Sequence, residues 1–484
     1  MTISDVALAF QPAEEHRLDI DGLRVYCRVA GPADGPPVVL LHGWGASWHY
    51  WQWALPALAA AGFRAYAPDL IGHGDTDKPP LAYGGDDYVA FLARLLDHLG
   101  LDRVILGGHS LGGYVVLRYA LEHADRVRKL VLVSPLYKKD QLPVPRRILP
   151  MVTLPLRAIW RFTPTQLVNL AARAVRDSDR RVLPASFTRR MILDYKRATP
   201  RIAASLVDFR DLTPDLPRIT APALVFWGGR DLLATESFAP LVAALPHARA
   251  CHTPAAAHAA HVETLVVFHD TVLPFLEPPQ PGLALPLHGP RVTIRPQTPA
   301  DIRRQSRWQP FTDPLYRVWN PLPIPSTHAD ALYRQRRADP TRRYYAIDDE
   351  HGQFIGSLSL RQIRVGHQAR LGIIIGADWV GQGYGREVLR TFIPYYFAAL
   401  QFQELCLDVA APNIRAIHCY EKLGFQRVAE FYRPAGTAAE LAFLAAERYA
   451  PVRRFFEPGQ DGIHQVLFYE MTLTPSTFIS SDSP

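Results

Sequence analysis

Val104-Ile-Leu-Gly-Gly-His-Ser-Leu-Gly-Gly113 decides how the first half of this chain is read. Apolar residues that suit a buried strand run into a pair of glycines, and a helical stretch from Tyr114 to Glu122 follows. Between them, Gly108-His109-Ser110-Leu111-Gly112 has the form G-x-S-x-G. A turn this sharp holds its serine in a strained backbone conformation, and side chains at the flanking glycines would strike the neighbouring strand and helix. The Ser110 hydroxyl then stands above the sheet, at the N-terminus of a helix.

A serine hydroxyl is a poor nucleophile until a base takes its proton. Downstream, Leu224-Val-Phe-Trp-Gly-Gly-Arg-Asp231 is a strand followed by a turn that ends on an acid. Arg249-Ala-Cys-His-Thr-Pro254 is a weaker strand leading into Ala255-Ala-Ala-His-Ala-Ala-His-Val-Glu263, which offers His258 and His261 as bases. Upstream, Asp21-Gly22 lies between Leu18–Ile20 and Leu23–Val29 and suits a type I′ hairpin turn. Short apolar runs at Val38–Leu41, Phe63–Ala67, Leu130–Val133 and Leu224–Trp227 alternate with helical stretches. Such runs read as parallel strands buried under helices, which places the fold in the α/β class.

With these motifs in order, residues 1–277 resemble the α/β-hydrolase superfamily, of the esterase and lipase type. Leu41-His-Gly-Trp-Gly45 and Pro68-Asp-Leu-Ile-Gly-His-Gly-Asp-Thr-Asp-Lys-Pro79 fit the same pattern. The resemblance implies Ser110 as nucleophile, His258 as base and Asp231 as the acid that orients it. It implies the backbone N–H groups of Trp44 and Leu111 as the oxyanion hole. Ala257 stands where the family often has glycine. A serine at 110 argues against the dehalogenases and epoxide hydrolases of this fold, which use aspartate. His261 is expected to pack beside His258, and His42 and His109 to be structural or to line the pocket. Residues 135–217 are expected to form a helical lid, with helices near Arg146–Arg161 and Gln166–Arg176. That interval is rich in Lys and Arg from Lys138 to Arg210. It reads either as a solvated surface or as a dock for an anionic membrane surface or an acidic acyl substrate.

Glu277-Pro-Pro-Gln-Pro-Gly-Leu-Ala-Leu-Pro-Leu-His-Gly-Pro290 cannot continue a helix or a central strand, so residues 278–290 read as a proline-rich linker. Beyond it, Val292–Pro296, Tyr344–Asp348, Phe354–Leu360, Leu371–Ile375, Leu405–Val409 and His464–Leu473 read as strands, with Asp301 expected to cap the helix after the first. Val380-Gly-Gln-Gly-Tyr-Gly-Arg386 opens a helix expected to reach Leu400, bent at Pro394. Glycines there let backbone N–H groups approach an anion, and the helix dipole favours pyrophosphate. Ala411-Pro-Asn-Ile-Arg-Ala-Ile-His-Cys-Tyr-Glu-Lys-Leu-Gly-Phe425 places Asn413 at a helix start and Tyr420 two turns later on the same face.

This stretch is similar to the Gcn5-related N-acetyltransferase (GNAT) family, whose order of elements residues 291–474 follow. The resemblance implies a mixed α/β acetyltransferase fold and acetyl-CoA as donor. Gly381, Gly383, Tyr384, Gly385 and Arg386 would bind the pyrophosphate, and backbone near Ile374 and Ile375 the acetyl carbonyl. Asn413 would contact the cofactor, and Tyr420 would protonate the departing thiolate. Arg370 stands where many relatives carry a glutamate base, so no general base is assigned.

The composition fits two packed domains. Of 484 residues, 48% are hydrophobic and 20% charged, which excludes a mainly disordered chain. No apolar run approaches a membrane span, and the opening residues, without a basic region followed by an apolar stretch, lead us to expect no secretory signal. Cys27, Cys251, Cys406 and Cys419 are scattered, which indicates neither a disulfide framework nor a metal site. The net charge of +7 is mild for this length and shows no basic stripe interleaved with aromatics, so a nucleic-acid partner is not expected. The expectation is a cytoplasmic bifunctional enzyme acting on a small-molecule acyl substrate and an amine acceptor. In the alternative, one half is only a ligand-binding or scaffold module. Residues 475–484 are expected to be disordered.

Overall fold

The computed structural model describes residues 13–138, 141, 184–202, 209–231, 235–278, 280–320, 325–459 and 462–480. Most of the expected lid, including both of its expected helices, lies outside the described residues. The chain divides into two compact units, one reaching Leu283 and the other running on from Ala284. Among the described residues no helix is long and apolar enough to cross a membrane.

The first unit is built on an eight-stranded sheet. In chain order its strands are β1 (Glu14–Ile20), β2 (Leu23–Ala30), β3 (Pro37–Leu41), β4 (Arg64–Pro68), β5 (Val104–His109), β6 (Val127–Val133), β7 (Ala223–Gly228) and β8 (Ala248–Thr253). Their order in the sheet is β1-β2-β4-β3-β5-β6-β7-β8. The β1–β2 hairpin turns on Asp21 (φ 52°) and Gly22 (φ 81°), the two left-handed residues that a type I′ turn needs. From β4 onward every pairing is parallel. Every residue of β5 and β7 is buried, which is why these strands read as continuous apolar runs. β8 ends the sheet and is half exposed, and its sequence signal is weaker for that reason.

The second unit carries a nine-stranded mixed sheet. Its strands are β9 (Leu287–His288), β10 (Val292–Pro296), β11 (Arg343–Asp349), β12 (Phe354–Arg364), β13 (Gln368–Ile375), β14 (Glu404–Ala410), β15 (Gln426–Thr437), β16 (Phe456–Pro458) and β17 (Ile463–Leu473). They run in the order β15-β17-β14-β13-β12-β11-β10-β9, with β16 beside β17. The one parallel pair, β13–β14, is in register only from Gln368↔Glu404 to Leu371↔Leu407. Both strands continue past that point, so they diverge and open a gap in the middle of the sheet.

Several expectations need correction. Residues 278–290 are not simply a linker: Gln280 N–H donates to Ala61 O (3.1 Å), and Leu287–His288 pair with β10. Asp301 is not the helix cap. Thr298 is, and Asp301 at the third helical position closes a capping box while holding Arg295 at 2.8 Å. The tail is tied down through part of its length, because Ile479 N–H donates to Leu423 O (3.1 Å). The helix Tyr384–Ala398 contains Pro394, as the sequence predicts. The long strand β15 had no sequence signal, because most of its residues are exposed and it lacks apolar alternation.

Candidate active sites

Ser110 joins β5 to the helix Leu111–Glu122 with φ 52° and ψ −112°. The glycines around it let strand, turn and helix close up. A β-carbon on Gly108 would stand 2.3 Å from Gly112 O, and one on Gly112 would stand 2.3 Å from Leu41 O and 2.7 Å from His42 O. The end of β3 therefore lies directly against the helix start. A β-carbon on Gly43 would lie 3.2 Å from Ser110 Cβ, so the loop after β3 reaches the serine. Neither the N–H of Trp44 nor that of Leu111 makes a hydrogen bond among the described residues. Two backbone donors thus remain available beside the hydroxyl.

The loop itself is stapled from below. Leu70 N–H donates to His42 Nε2 (2.9 Å), so Nδ1 carries the proton that His42 gives to Gly43 O (2.8 Å). Burial pushes His42 down to about 4, which keeps it neutral and structural. From the helix Ala185–Arg197, fully buried Asp194 accepts from Ser47 Oγ (2.6 Å) and pairs with His49 (3.0 Å). Tyr195 packs edge-on against Trp44 at 5.6 Å, and Trp44 Nε1–H donates to Ile202 O (2.9 Å).

Asp231 is fully buried in the turn after β7, and His258 Nδ1–H donates to its Oδ2 at 3.0 Å. That bond leaves Nε2 as the ring's basic nitrogen. Ser110 Oγ makes no hydrogen bond among the described residues, so it is open to a partner. His261 lies deeper, against Trp51 at 4.4 Å, and burial pushes it down to about 3. His109, the variable residue before the serine, donates Nε2–H to His258 O (3.1 Å) and is held well below its ordinary range by burial. Glu263 accepts from Ala257 N–H (2.7 Å) and Ala259 N–H (3.0 Å), one on each side of His258. Sequence reasoning missed Glu263, since only the folded loop brings its carboxylate back over the backbone.

In the second unit, Gly381 (φ 88°) and Gly383 (φ 89°) turn the loop before the helix Tyr384–Ala398. The N–H groups of Gly381, Gln382, Gly383, Tyr384 and Gly385 make no hydrogen bond among the described residues. A β-carbon on Gly385 would meet nothing within 4 Å. Open space therefore stands at Gly381 and Gly385 beside a row of backbone donors at a helix N-terminus, with Arg291 Nη2 3.4 Å from where a β-carbon on Gly383 would be and Arg386 in the first turn. The Tyr384 ring is occupied elsewhere: Arg291 stacks on it at 4.6 Å and its hydroxyl donates to Glu350 Oε2 (3.1 Å). Its contribution to the loop is its backbone.

Ile374, Asn413 and Tyr420 line one cavity of about 490 Å³ where β13 and β14 part. Gly376 N–H donates to Ile355 O on β12 (2.9 Å), and strand alternation turns the N–H groups of Ile375 and Ile373 toward the gap. Asn413 Oδ1 is buried there without a hydrogen-bond partner. Burial pushes the Tyr420 phenol far above its ordinary range, so its hydroxyl stays protonated. Arg370 is held by Asp408 and by Glu470 at 2.6 Å. No group of three or more His, Cys, Asp and Glu placed to hold a metal exists among the described residues. Sequence reasoning also missed the arginines that line the cavity, Arg336, Arg342, Arg361 and Arg433, because no motif marks them.

Residues 36–265 match the family model described as alpha/beta hydrolase fold, and residues 291–426 that described as acetyltransferase (GNAT) domain. A haloalkane dehalogenase of Mycolicibacterium paratuberculosis is 31% identical over 263 residues, covering 49% of this chain and 85% of that protein. Epoxide hydrolase 2 of Siraitia grosvenorii is 40% identical over 123 residues, which is 25% of this chain and 38% of that protein. The chain thus spans less than half of that relative's length. The crystal structure of a hydrolase from Pseudomonas aeruginosa PA01 aligns with a TM-score of 0.46 and 26% identity, covering 54% of this chain and 98% of that one. The chain belongs to the α/β-hydrolase family through its first unit and carries a GNAT acetyltransferase domain as its second.

Proposed function

We propose that the first unit hydrolyses an ester or related acyl bond through an acyl-serine intermediate, and that the second transfers an acetyl group to an amine. The first proposal is carried by one arrangement. A strained serine stands at a helix N-terminus beside two unbonded N–H groups, and a buried aspartate orients a histidine on the neighbouring loop. In this mechanism His258 Nε2 takes the Ser110 proton as the oxygen attacks the acyl carbon. The N–H groups of Trp44 and Leu111 receive the oxyanion, each worth about 2.7–4 kcal/mol. His258 then gives the proton to the leaving group and activates the water that frees the acyl chain, while Asp231 stabilises the imidazolium.

The relatives' names raise a second reading, hydrolysis of epoxides or haloalkanes. The chemistry of residue 110 opposes it. A carboxylate that opens an epoxide or displaces a halide forms an ester, which water can cleave at its carbonyl. A serine hydroxyl would form an ether, which has no carbonyl to attack and would trap the enzyme. An acyl substrate is therefore favoured. A fluorophosphonate probe tests this: the native chain should be labelled and Ser110→Ala should not. An unlabelled native chain, or a labelled variant, overturns the proposal.

For the second unit, the row of unbonded N–H groups at Gly381–Gly385 supports acetyl-CoA. Those groups and Arg386 would hold its pyrophosphate, Asn413 its pantetheine arm, and the N–H groups of Ile373 and Ile375 its acetyl carbonyl, whereas the Ile374 N–H, expected to share that role, lies on the β12 side. Bound acetyl-CoA supplies an activated thioester. Tyr420 Oη holds the proton for the departing sulfur. Calorimetry with acetyl-CoA tests the site, and absence of binding at millimolar concentration ends the proposal. Probe labelling without acetyl-CoA binding, or the reverse, would leave only one half catalytic.

A further inference from the structure

The cavity that holds Ile374, Asn413 and Tyr420 has a cationic end. Arg336, Arg342, Arg361 and Arg433 line it, and an adjoining hollow of about 310 Å³ shares the last three and adds Arg370. Against these arginines the walls carry only two carboxylates, Asp408 and Glu470. Both are already engaged: Asp408 with Arg370 and Arg433, Glu470 with Arg370. Arg336 donates to Gln297 Oε1 (2.7 Å) and lies over the Tyr344 ring, and Arg342 reaches Asp339 (3.1 Å). Arg361 is left over. Its side chain makes no hydrogen bond or ion pair among the described residues, its Nε is buried, and the carboxylate charge acting on it is that of Asp408, already shared by Arg370 and Arg433. Arg361 is half-buried with its Nε sealed from water and unpartnered, so its retention calls for an explanation.

The backbone fixes this side chain in place. The β12–β13 register shifts between Arg361 and Arg364, and Gln362 inside the bulge has φ 51°. Bulges of this kind re-aim the neighbouring side chain. A β-carbon on Gly372 would stand 3.4 Å from Arg361 Nη2, so the guanidinium lies over Gly372, two residues before Ile374 on β13. At about 3.3 Å per residue, the charge sits about 3 Å along the strand from Ile373 and about 10 Å from Ile375, the two residues whose N–H groups face the gap.

We infer that Arg361 is the anion-binding residue of the acceptor subsite, and that the accepting amine carries a carboxylate or similar anion. The inference rests on the acetyltransferase reading above and names its acceptor class.

The experiment uses the full chain with acetyl-CoA and follows thiol release. Acceptors are 4-aminobutanoate, 5-aminopentanoate and the amino alcohols of matching length. The carboxylates should exceed the alcohols at least tenfold in kcat/KM. That ratio should fall toward one in Arg361→Gln and be partly restored in Arg361→Lys. Calorimetry of acetyl-CoA with Arg361→Gln runs alongside. A ratio near one in the native chain, a ratio that survives the substitution, or refusal of every acceptor by a chain that binds acetyl-CoA overturns the inference and leaves the cofactor site standing. A tenfold loss of acetyl-CoA affinity in Arg361→Gln also overturns it, by assigning the arginine to the cofactor. If the native chain does not bind acetyl-CoA at all, the acetyltransferase reading falls, and the inference falls with it.

Discussion

Gly112→Ala is the sharpest test of how the serine turn is built. The new β-carbon would stand 2.3 Å from Leu41 O and 2.7 Å from His42 O, while ordinary contact begins at 3.4 Å. The overlap with Leu41 O is therefore about 1.1 Å. Both obstacles are backbone carbonyls of the segment that continues into Gly43 and Trp44, so neither can rotate away. The helix start and the loop after β3 must move apart by a distance of that order. These are the two walls that hold the N–H groups of Leu111 and Trp44. Misplacing catalytic groups by about 1 Å costs on the order of 10² in rate. Overpacking a close contact costs about 1–3 kcal/mol of stability, a fall of several degrees in Tm for a unit of this size. The assay pairs the rate of fluorophosphonate labelling with a circular-dichroism melt. The expected outcome is a folded chain whose labelling slows about a hundredfold. A variant that labels within threefold of the native rate refutes the argument that this close approach sets the oxyanion geometry.

Three further outcomes are expected. Asp231→Asn removes the acceptor that holds His258 Nδ1–H and should lower ester turnover on the order of 10⁴-fold; a loss under tenfold would separate the aspartate from catalysis. Gly385→Ala adds a methyl group where nothing lies within 4 Å and where alanine suits a helix better than glycine by about 1 kcal/mol. Its Tm should hold or rise while acetyl-CoA affinity falls at least tenfold, and an unchanged Kd by calorimetry refutes the ligand role of that space. Asp69, buried between the N–H groups of Trp48 and Asp75, has its carboxyl pushed up to about 7 by burial. Its protonated form is favoured by folding, so its stability contribution is full below about pH 4 and is lost as pH rises through about 7. The Tm of the native chain should fall more steeply across that window than that of Asp69→Asn, and parallel curves refute the assignment.

The elements legible in the sequence were those whose local pattern and tertiary environment agree. β5 and β7 are buried on both faces and read as apolar runs, and Asp21-Gly22 adopts the backbone its composition demands. β15 was invisible because its residues, Arg427, Glu430, Arg433 and Pro434 among them, are chosen for an exposed edge rather than a core face. At the sites, residues inside contiguous motifs could be named beforehand. Glu263 and Arg361 could not. Glu263 braces His258 only because a helix turn folds it back, and Arg361 is distinguished by having no partner where the other lining arginines have one. Pairing across a sheet is not written in local composition.

The glycines of the two units show how such distinctions can be drawn from structure. Gly108 and Gly112 are crowded: each β-carbon position is blocked by backbone within 2.3 Å. Their absence of side chain serves the approach of strand to helix, and the catalytic geometry is a consequence of that packing. Gly381 and Gly385 are open, with nothing within 4 Å of their β-carbon positions, and their N–H groups are unbonded. Packing does not require Gly385 to be glycine, and its backbone angle is not in the left-handed region. Helix propensity would favour alanine there. A residue that is worse for the isolated fold, and beside which the chain itself places no atom, is explained by an atom from outside the chain. The same reasoning applied to charge instead of volume singles out Arg361, the cavity-lining arginine whose guanidinium the chain leaves without an ion-pair partner.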